Sequence, residues 1–291
     1  MAKALDVNDL EKQYNGFTLK ASFSIEEGET LAFVGPNGSG KTTIIFSILN
    51  IVRRDGGHVR FFEQELDLHE VRIKRQLGVF LEQPHLFRDL RVKHILDLCG
   101  AFYPAWDEQY AIKLLDEFEI DRNKKFKQLS KGMKNKVALA VAFAPRPRLL
   151  ILDEPTSGLD PKIRRLFVEK VKQARQMFSP AILLTSHIMR DIEDLADRIA
   201  FMEGSRIKPI ESKEALKSWR VIEGFCDGSL PLEALALRLD RRSGERVRFE
   251  MLTDRYGEDI AEQLRQCNAE ITSVSAPDLE RIYDQVISSS K

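Results

Sequence analysis

The sequence predicts an α/β protein in which a mostly parallel sheet carries helices on both faces. Three short apolar runs, 29–34, 149–153 and 181–185, lack the alternation of a half-exposed strand and indicate strands that are buried on both faces. Helical patterns over 41–50 and 162–178 lie between them. Strands that alternate with helices along a chain favour a parallel sheet, because each helix returns the chain to the same edge.

The next elements extend this pattern. A helix is predicted over 188–196 and a further strand over 198–202, which ends at Glu203-Gly204. The segment 85–127 is different, since it is mostly helical and is interrupted only near Pro104 and Trp106. We therefore expect a helical subdomain, over about 85–147, inserted into a domain that spans 1–204.

Beyond Gly204 the pattern changes to that of a small α+β lobe, 205–291. Helices are predicted over 213–219, 232–239, 259–266 and 277–286, and strands over 246–252 and 271–274. The role of this lobe is open at this stage, with dimerisation and regulation as the two alternatives.

Composition excludes several classes of protein. Among 291 residues, Lys and Arg number 45 and so do Asp and Glu, so the formal net charge is zero. This balance argues against a protein that coats nucleic acid, which would normally be basic. The 43% hydrophobic content excludes disorder for most of the chain.

No targeting or membrane-spanning segment is expected. The first residues lack the apolar region of a signal peptide, and the longest apolar stretch, 137–145, is far shorter than the ~20 residues of a membrane span. Three cysteines, Cys99, Cys226 and Cys267, show no metal-binding spacing and fit a reducing compartment. The sequence therefore predicts a cytoplasmic protein.

A phosphate-binding loop follows the first buried strand. Its residues fit the P-loop pattern G-x-x-x-x-G-K-[ST] and are Gly35, Pro36, Asn37, Gly38, Ser39, Gly40, Lys41 and Thr42, followed by Thr43. The glycines allow backbone N–H groups and the next helix N-terminus to point at phosphate oxygens. Lys41 is expected against the β- and γ-phosphates, and the Thr42 hydroxyl against Mg²⁺.

Two carboxylates, Asp153 and Glu154, end the buried strand 149–153. Ligands bind at this end of a parallel strand, and adjacent side chains point in different directions. Asp153 is thus expected to hold Mg²⁺, and Glu154 to act as the general base on the attacking water.

Four motifs, of which the P-loop is the first, resemble those of ABC-type ATPases and follow one another in the order typical of that family. The segment 149–160 resembles their joined Walker B motif and D-loop, 129–133 their signature motif, and 185–187 their switch histidine. The resemblance covers roughly residues 5–202. It implies a P-loop NTPase of ABC type, with a mostly parallel core sheet, an antiparallel β subdomain and an inserted helical subdomain, followed by the small C-terminal α+β lobe.

The resemblance also implies roles for residues outside the P-loop. Ser130 and Gly132, placed before a helix expected near Lys134, would contact the γ-phosphate of ATP that is bound to a second cassette. The family has glycine where this chain has Lys131, which adds positive charge near the triphosphate.

His187 would contact the γ-phosphate and orient Glu154, and Asp160 would cross the dimer interface. Tyr14, expected before the first strand pair, matches the position where the family stacks an aromatic ring on adenine, with an exposed loop tyrosine as the alternative.

The Q-loop departs from its usual form. Glu82 takes the place of the usual glutamine and Gln83 follows one residue late, so either side chain could reach Mg²⁺ or the attacking water. The adjacent groove, with His85, Leu86 and Phe87, matches the surface on which the family docks its membrane partner.

One P-loop and one signature occur in the chain, so a complete site requires a second cassette, most simply in a head-to-tail homodimer. The signature and the ending 277–283 resemble ATPase subunits of ABC-2-type exporters. The resemblance thus implies an ATP-hydrolysing subunit that sits on the cytoplasmic face of the membrane through polytopic permease subunits.

The alternative is a soluble ABC ATPase that acts on ribosomes or DNA. It is disfavoured because the chain has one cassette, no long coiled coil between its motifs, and no net positive charge.

Overall fold

The computed structural model describes residues 2–14, 16–82, 87–226, 236–240, 247–254, 257–266 and 268–288. Internal contacts divide the chain into a larger unit, Met1–Pro209, and a smaller unit, Ile210–Lys291.

The larger unit is built on a ten-stranded sheet. The strand of this sheet that comes latest in the chain begins in this unit and ends at Ser212. The strands are β1 (Lys3–Tyr14), β2 (Phe17–Glu26), β3 (Thr30–Val34), β4 (Gly56–Phe61), β5 (Gln64–Glu65), β6 (Leu77–Phe80), β7 (Leu149–Asp153), β8 (Ala181–Ser186), β9 (Arg198–Glu203) and β10 (Arg206–Ser212). Their order is β5-β4-β1-β2-β10-β9-β3-β8-β7-β6.

The strands β9, β3, β8, β7 and β6 form the parallel part of this sheet. Every residue of β3, β7 and β8 is buried, which explains why their sequences are continuous apolar runs. The register pairs Val34 with Ser186 and Asp153 with Thr185, so the carboxyl ends of these strands meet at one edge. The sequence-predicted parallel core is thus confirmed.

The strands β1, β2, β4 and β5 form the antiparallel part. Along β2, buried residues alternate with partly or fully exposed ones, as expected for a strand that buries one face. The antiparallel β subdomain implied by the family resemblance is therefore present.

Seven helices are described in the larger unit. They are α1 (Lys41–Ile48), α2 (Leu66–Lys74), α3 (Val92–Phe102), α4 (Glu108–Glu117), α5 (Lys131–Phe143), α6 (Pro161–Phe178) and α7 (Met189–Leu195). The helices α3, α4 and α5 lie between β6 and β7 in the chain and pack against one another. Within the described residues, no helix has both the length and the apolar character of a membrane span.

The smaller unit contains a four-stranded antiparallel sheet of order β12-β13-β11-β14. Its elements are α8 (Lys213–Leu216), β11 (Arg220–Cys226), β12 (Ala236–Asp240), β13 (Val247–Thr253), α9 (Glu258–Gln266), β14 (Glu270–Ser275) and α10 (Leu279–Ser288). One buried cluster in its core consists of Ile222, Cys226, Phe249, Met251 and Leu264.

One predicted helix in this unit is wrong. The segment 232–239 was expected to be helical, but 236–240 forms the strand β12, which pairs with β13; residues 232–235 lie outside the described part. Leucine and alanine favour a helix locally, whereas pairing with a neighbouring strand outweighs such weak propensities.

Gly78 allows α5 to lie directly against β6. A Cβ atom at this position would come within 2.1 Å of the backbone oxygen of Ala142, near the C-terminal end of α5. We expect Gly78→Ala to force α5 away from the sheet and to lower the free energy of unfolding by about 1–3 kcal/mol. Thermal unfolding of the variant and of the wild type measures the loss of stability. Gly56→Ala is the control, because its new methyl group would meet Glu11 at an ordinary 3.6 Å; equal stability of the two variants would contradict the prediction.

Candidate functional site

The P-loop lies between the end of β3 and the start of α1. Gly35 is packed so closely that a Cβ atom would lie 2.8 Å from the carbonyl oxygen of Met202. Gly38 and Gly40 have φ angles of 82° and 100°, a left-handed conformation that other residues rarely adopt. The tip of the loop, 36–38, is exposed, and Ser39 behind it is buried. The glycines at these positions therefore follow from the shape of the loop.

The ammonium group of Lys41 is buried inside this loop. Its Nζ donates hydrogen bonds to the carbonyl oxygens of Gly35 at 2.7 Å and Pro36 at 3.1 Å. It also lies 3.2 Å from Oε1 of Glu154, and both side chains are more than nine-tenths buried. Thr42 and Thr43 follow in the first turn of α1 and are half-buried. The loop thus brings a cation against the carboxylate at the end of β7.

Asp153 accepts hydrogen bonds from the hydroxyl groups of two neighbouring segments. Thr42 Oγ1 donates to Oδ2 at 3.0 Å and Thr185 Oγ1 donates to Oδ1 at 2.7 Å. Burial is the main cause that raises the pKa of Asp153, and the charges of Glu154 and Glu82 act in the same direction, whereas the hydroxyl groups oppose it. The predicted metal-ligand residues Thr42 and Asp153 are therefore in direct contact.

Glu154 and His187 form a hydrogen-bonded pair at the same edge of the sheet. Glu154 Oε2 lies 2.7 Å from Nδ1 of His187 and accepts from the backbone N–H of that residue at 3.3 Å. Because a carboxylate only accepts, Nδ1 carries the proton that is shared with Glu154. Apart from the contact with Lys41, Oε1 has no hydrogen-bond partner among the described residues. Glu154 has a φ of 45°, which turns the chain sharply after β7.

The structure places only one of the two Q-loop candidates. Glu82 lies two residues beyond β6, close enough for its charge to affect Asp153. Gln83, His85 and Leu86 lie outside the described residues. Phe87, the remaining residue of the expected docking groove, is 56% exposed.

The signature residues lie at the start of α5, which begins at Lys131 and not near Lys134 as expected. Ser130 is its N-cap residue and accepts a hydrogen bond from the backbone N–H of Met133 at 3.2 Å. Gly132 lies in the first turn, because the cap places the helix start directly after Ser130. No hydrogen bond or ion pair among the described residues joins these residues to the P-loop.

The exposed side chain of Lys131 reaches the D-loop of its own chain. Its Nζ would lie 3.0 Å from a Cβ atom at Gly158, which has a φ of 67°. Asp160 caps α6, since its Oδ1 accepts from the backbone N–H groups of Lys162 at 3.0 Å and Ile163 at 3.1 Å. Pro161 occupies the first position of that helix, as helix starts favour.

Tyr14 is the last residue of β1, in contrast to the expectation that it precedes the first strand pair. Its side chain is 47% exposed, and Lys12 Nζ lies 5.3 Å from the ring centroid. The neighbouring Phe17 reaches the P-loop, because its Cζ would lie 3.3 Å from a Cβ atom at Gly40. The start of β2 thus lies beside the phosphate loop.

Sequence reasoning assigned no role to Thr185, which the structure places between the two acidic residues. Its hydroxyl donates to Asp153 and accepts from the backbone N–H of Glu154 at 3.0 Å. The available signal was a threonine at the end of a buried strand, next to the switch histidine.

The chain is similar to ABC transporter proteins in sequence and in fold. The family model described as "ABC transporter" matches residues 19–157. The ABC transporter ATP-binding protein YtrB of Bacillus subtilis is 29% identical over 97% of this chain and 94% of its own length. The Nod factor export ATP-binding protein I of Burkholderia thailandensis is 32% identical over 69% of this chain and 68% of its own.

A further relative, the lantibiotic transport ATP-binding protein SrtF of Streptococcus pyogenes, is 29% identical over 79% of this chain and 95% of its own. Among solved structures, an ATP-binding subunit of an ABC transporter aligns with a TM-score of 0.67 and 28% identity, over 74% of this chain and 92% of that one. The chain therefore belongs to the ABC transporter family, as an ATP-binding subunit whose ATPase activity is coupled to transport.

Proposed function

We propose that two chains associate head to tail, bind ATP between them and use its hydrolysis to drive export through separately encoded membrane subunits. The cluster of Lys41, Asp153, Glu154 and His187 carries this proposal. It brings a phosphate-binding cation, a metal-binding carboxylate, a candidate base and a histidine to one edge of the sheet. In this proposal the ATPase domain spans 1–204, and the lobe 205–291 serves dimerisation or regulation.

The P-loop supplies the binding energy for the triphosphate. The N-terminus of α1 and the loop N–H groups favour an anion, and Lys41 adds a full positive charge. The β- and γ-phosphates of ATP would compete with Glu154 for the Lys41 ammonium, because Lys41 Nζ and Glu154 Oε1 lie 3.2 Å apart. Binding of ATP therefore frees the carboxylate that acts next. Tyr14, exposed at the end of β1, would stack on the adenine ring.

The residues at the end of β7 fit Mg²⁺. This ion prefers oxygen ligands and is commonly bound by one or two carboxylates together with substrate phosphates. Thr42 and Asp153, with Glu82 nearby, offer such oxygens at one point. When bound, Mg²⁺ neutralises negative charge that develops on the phosphates.

Glu154 is the general base of this proposal. It takes a proton from the attacking water as the oxygen–phosphorus bond forms and the bond to the leaving ADP breaks. His187 holds Oε2 of Glu154 through Nδ1–H, and Nε2 on the other side of the ring would donate to a γ-phosphate oxygen when the ring carries a second proton. Oε1, whose one partner among the described residues is Lys41, is the oxygen that would accept the proton once the triphosphate has drawn the Lys41 ammonium away. Gln83 remains the alternative to Glu82 for orienting the water.

We expect Glu154→Gln to lower the hydrolysis rate by about 100-fold or more, since a general base contributes on that scale. ATP binding should persist and a closed dimer should accumulate, because the amide keeps the shape but accepts no proton. Phosphate release and size-exclusion chromatography with ATP measure both effects. Glu214→Gln, at an exposed position in α8, is the control that should retain wild-type activity. Undiminished phosphate release by Glu154→Gln would contradict the base assignment.

The positions of the P-loop and the signature in the fold support the head-to-tail arrangement. Each chain has one P-loop, on the parallel sheet, and one signature, at the N-terminus of α5. Ser130, Lys131 and Gly132 offer a hydroxyl group, a positive charge and helix N–H groups, all of which suit a phosphate. Two-fold pairing lets the signature of one chain complete the P-loop site of the other, with Asp160 at the interface.

Mixing two inactive variants tests this arrangement. Lys41→Ala removes P-loop function and Ser130→Arg removes signature function. A heterodimer of the two would retain one intact site, so the mixture should recover up to roughly a quarter of wild-type activity, if dimers form at random with two-fold symmetry. ATP hydrolysis is measured before and after mixing.

The matched control mixes Lys41→Ala with a chain that carries both substitutions, which leaves no intact site in any dimer. Activity in this control would show contamination by active protein. No recovery in the first mixture would contradict a site that is shared between chains.

The export direction is supported by the names of relatives. The relatives matched include a lantibiotic transport protein and a Nod factor export protein. The exposed ring of Phe87 beside the Q-loop offers an apolar contact for a membrane subunit. Such a subunit would hold this chain at the cytoplasmic face of the membrane.

We expect the chain to co-purify with a polytopic membrane protein from native membranes, and Phe87→Asp to reduce the amount of that protein recovered. A charged side chain at an apolar contact carries a desolvation cost, which weakens docking. Quantitative mass spectrometry after affinity purification measures the ratio of the two proteins. Met177→Asp, at a 58% exposed position near the C-terminal end of α6, is the control. Sedimentation of the native protein with ribosomes or DNA would contradict the transporter proposal.

A further inference from the structure

A buried hydrogen-bond network lies beside the Glu154–His187 pair and takes no part in the chemistry described above. Thr156 and Asp191 are 2% and 3% exposed. The hydroxyl of Thr156 donates to Oδ2 of Asp191, and Nε of Arg164 donates to Oδ1 at 2.6 Å. Each carboxylate oxygen of Asp191 therefore has one donor, and its charge is balanced by Arg164.

The network joins three segments that all lead away from the site. Thr156 lies two residues after Glu154, in a turn where the backbone N–H of Ser157 donates to the Glu154 carbonyl at 3.1 Å. Asp191 lies on α7, four residues after His187. Arg164 lies on α6, in the first turns after the cap residue Asp160. The Asp191 carboxylate thus links α7, on which it lies, with the turn after Glu154 and with α6.

The Glu154–His187 pair is restrained from two sides. On the sheet side, the backbone N–H of Glu154 donates to the carbonyl oxygen of Thr185, and β7 pairs with β8. On the other side lies the Thr156–Asp191 contact. The His187 ring is 42% exposed, so packing alone restrains it weakly. The relative position of the two side chains then depends on both restraints.

We propose that Asp191 is a positioning residue which, through Thr156 and α7, holds His187 against Glu154 in the geometry that hydrolysis requires. This inference rests on the proposed roles of Glu154 and His187. Removal of the Thr156 hydroxyl leaves Oδ2 of Asp191 buried without a donor. A buried acceptor without a partner costs free energy, so we expect the carboxylate to move. Movement of Asp191 moves α7, and with it the histidine two residues before its start.

The test compares Thr156→Val with Thr156→Ser. Valine keeps the volume and removes the hydroxyl, whereas serine keeps the hydroxyl. We expect Thr156→Val to lower kcat about tenfold with little change in KM for ATP, because misplaced catalytic groups affect the chemical step more than binding. Thr156→Ser should recover kcat to within about twofold of wild type, since it restores the donor.

Thr30→Val is the matched control for loss of a buried hydroxyl. Thr30 is fully buried on β3, and its Oγ1 has no hydrogen-bond partner among the described residues. Its replacement should leave kcat unchanged. The proposal is overturned if Thr156→Val reduces kcat no more than Thr30→Val does, or if Thr156→Ser is as impaired as Thr156→Val.

A second readout reports on the histidine itself. The chain has five histidines, so the ring nitrogen resonances of ¹⁵N-histidine-labelled protein can be assigned by single substitutions. Thr156→Val should shift the Nδ1 resonance of His187, whose proton is shared with Glu154, and Thr30→Val should not. A fall in kcat without this shift would show that Thr156 acts by another route and would overturn the proposal.

Arg164→Gln tests the same network if Thr156→Val does not fold. The Arg164 side chain is 26% exposed, so its replacement leaves a smaller defect in the core. It should shift the His187 resonance and lower kcat, whereas wild-type values for both would overturn the proposal. The two proposals fail separately: active Glu154→Gln overturns the base assignment, and unmoved His187 resonances in both network variants overturn the positioning assignment.

Discussion

The buried carboxylate of Glu154, held between Lys41 and His187, is the interaction on which the rest of the site depends. Glu154 is 7% exposed, and burial of a carboxylate costs desolvation free energy unless cations or hydrogen-bond donors compensate its charge. Lys41 lies 3.2 Å from one oxygen, and the ring and backbone of His187 contact the other. The P-loop must therefore curl so that its lysine points inward, and the loop after β8 must pass directly over the end of β7.

The strand order explains how distant parts of the sequence meet these requirements. In the sheet, β8 lies between β3 and β7, so the loop that carries His187 lies between the P-loop and Glu154. Thr42 and Asp153, which hydrogen bond directly, are 111 residues apart in the chain. Because parallel strands end at one edge, three connections separated in sequence converge without any long loop. The same burial that fixes these residues raises the pKa of Asp153, which a bound cation would offset.

The sequence predicts the parallel core and the residues at its edge, because buried strands and the P-loop have strong and specific patterns. It does not predict contacts that depend on strand order. Thr185 is one such case, since only the pairing of β7 with β8 places its hydroxyl between Asp153 and Glu154. The helix α5 starts about one turn before the predicted position. Ser130 caps it, but Gly132 in the first turn disfavours a helix locally and hides this start in the sequence.

The smaller unit illustrates the same limit, since β12 forms where alanine and leucine favour a helix. The network around Asp191 is the most informative case, because nothing in the spacing of Thr156, Arg164 and Asp191 indicates that they meet. A buried ion pair contributes little to stability, and apolar side chains of similar volume are often as good or better. Its benefit must then lie in geometry. An apolar core would hold α6 and α7 together equally well, but directional hydrogen bonds to one carboxylate add to the β7–β8 pairing a second restraint on where these segments lie relative to Glu154.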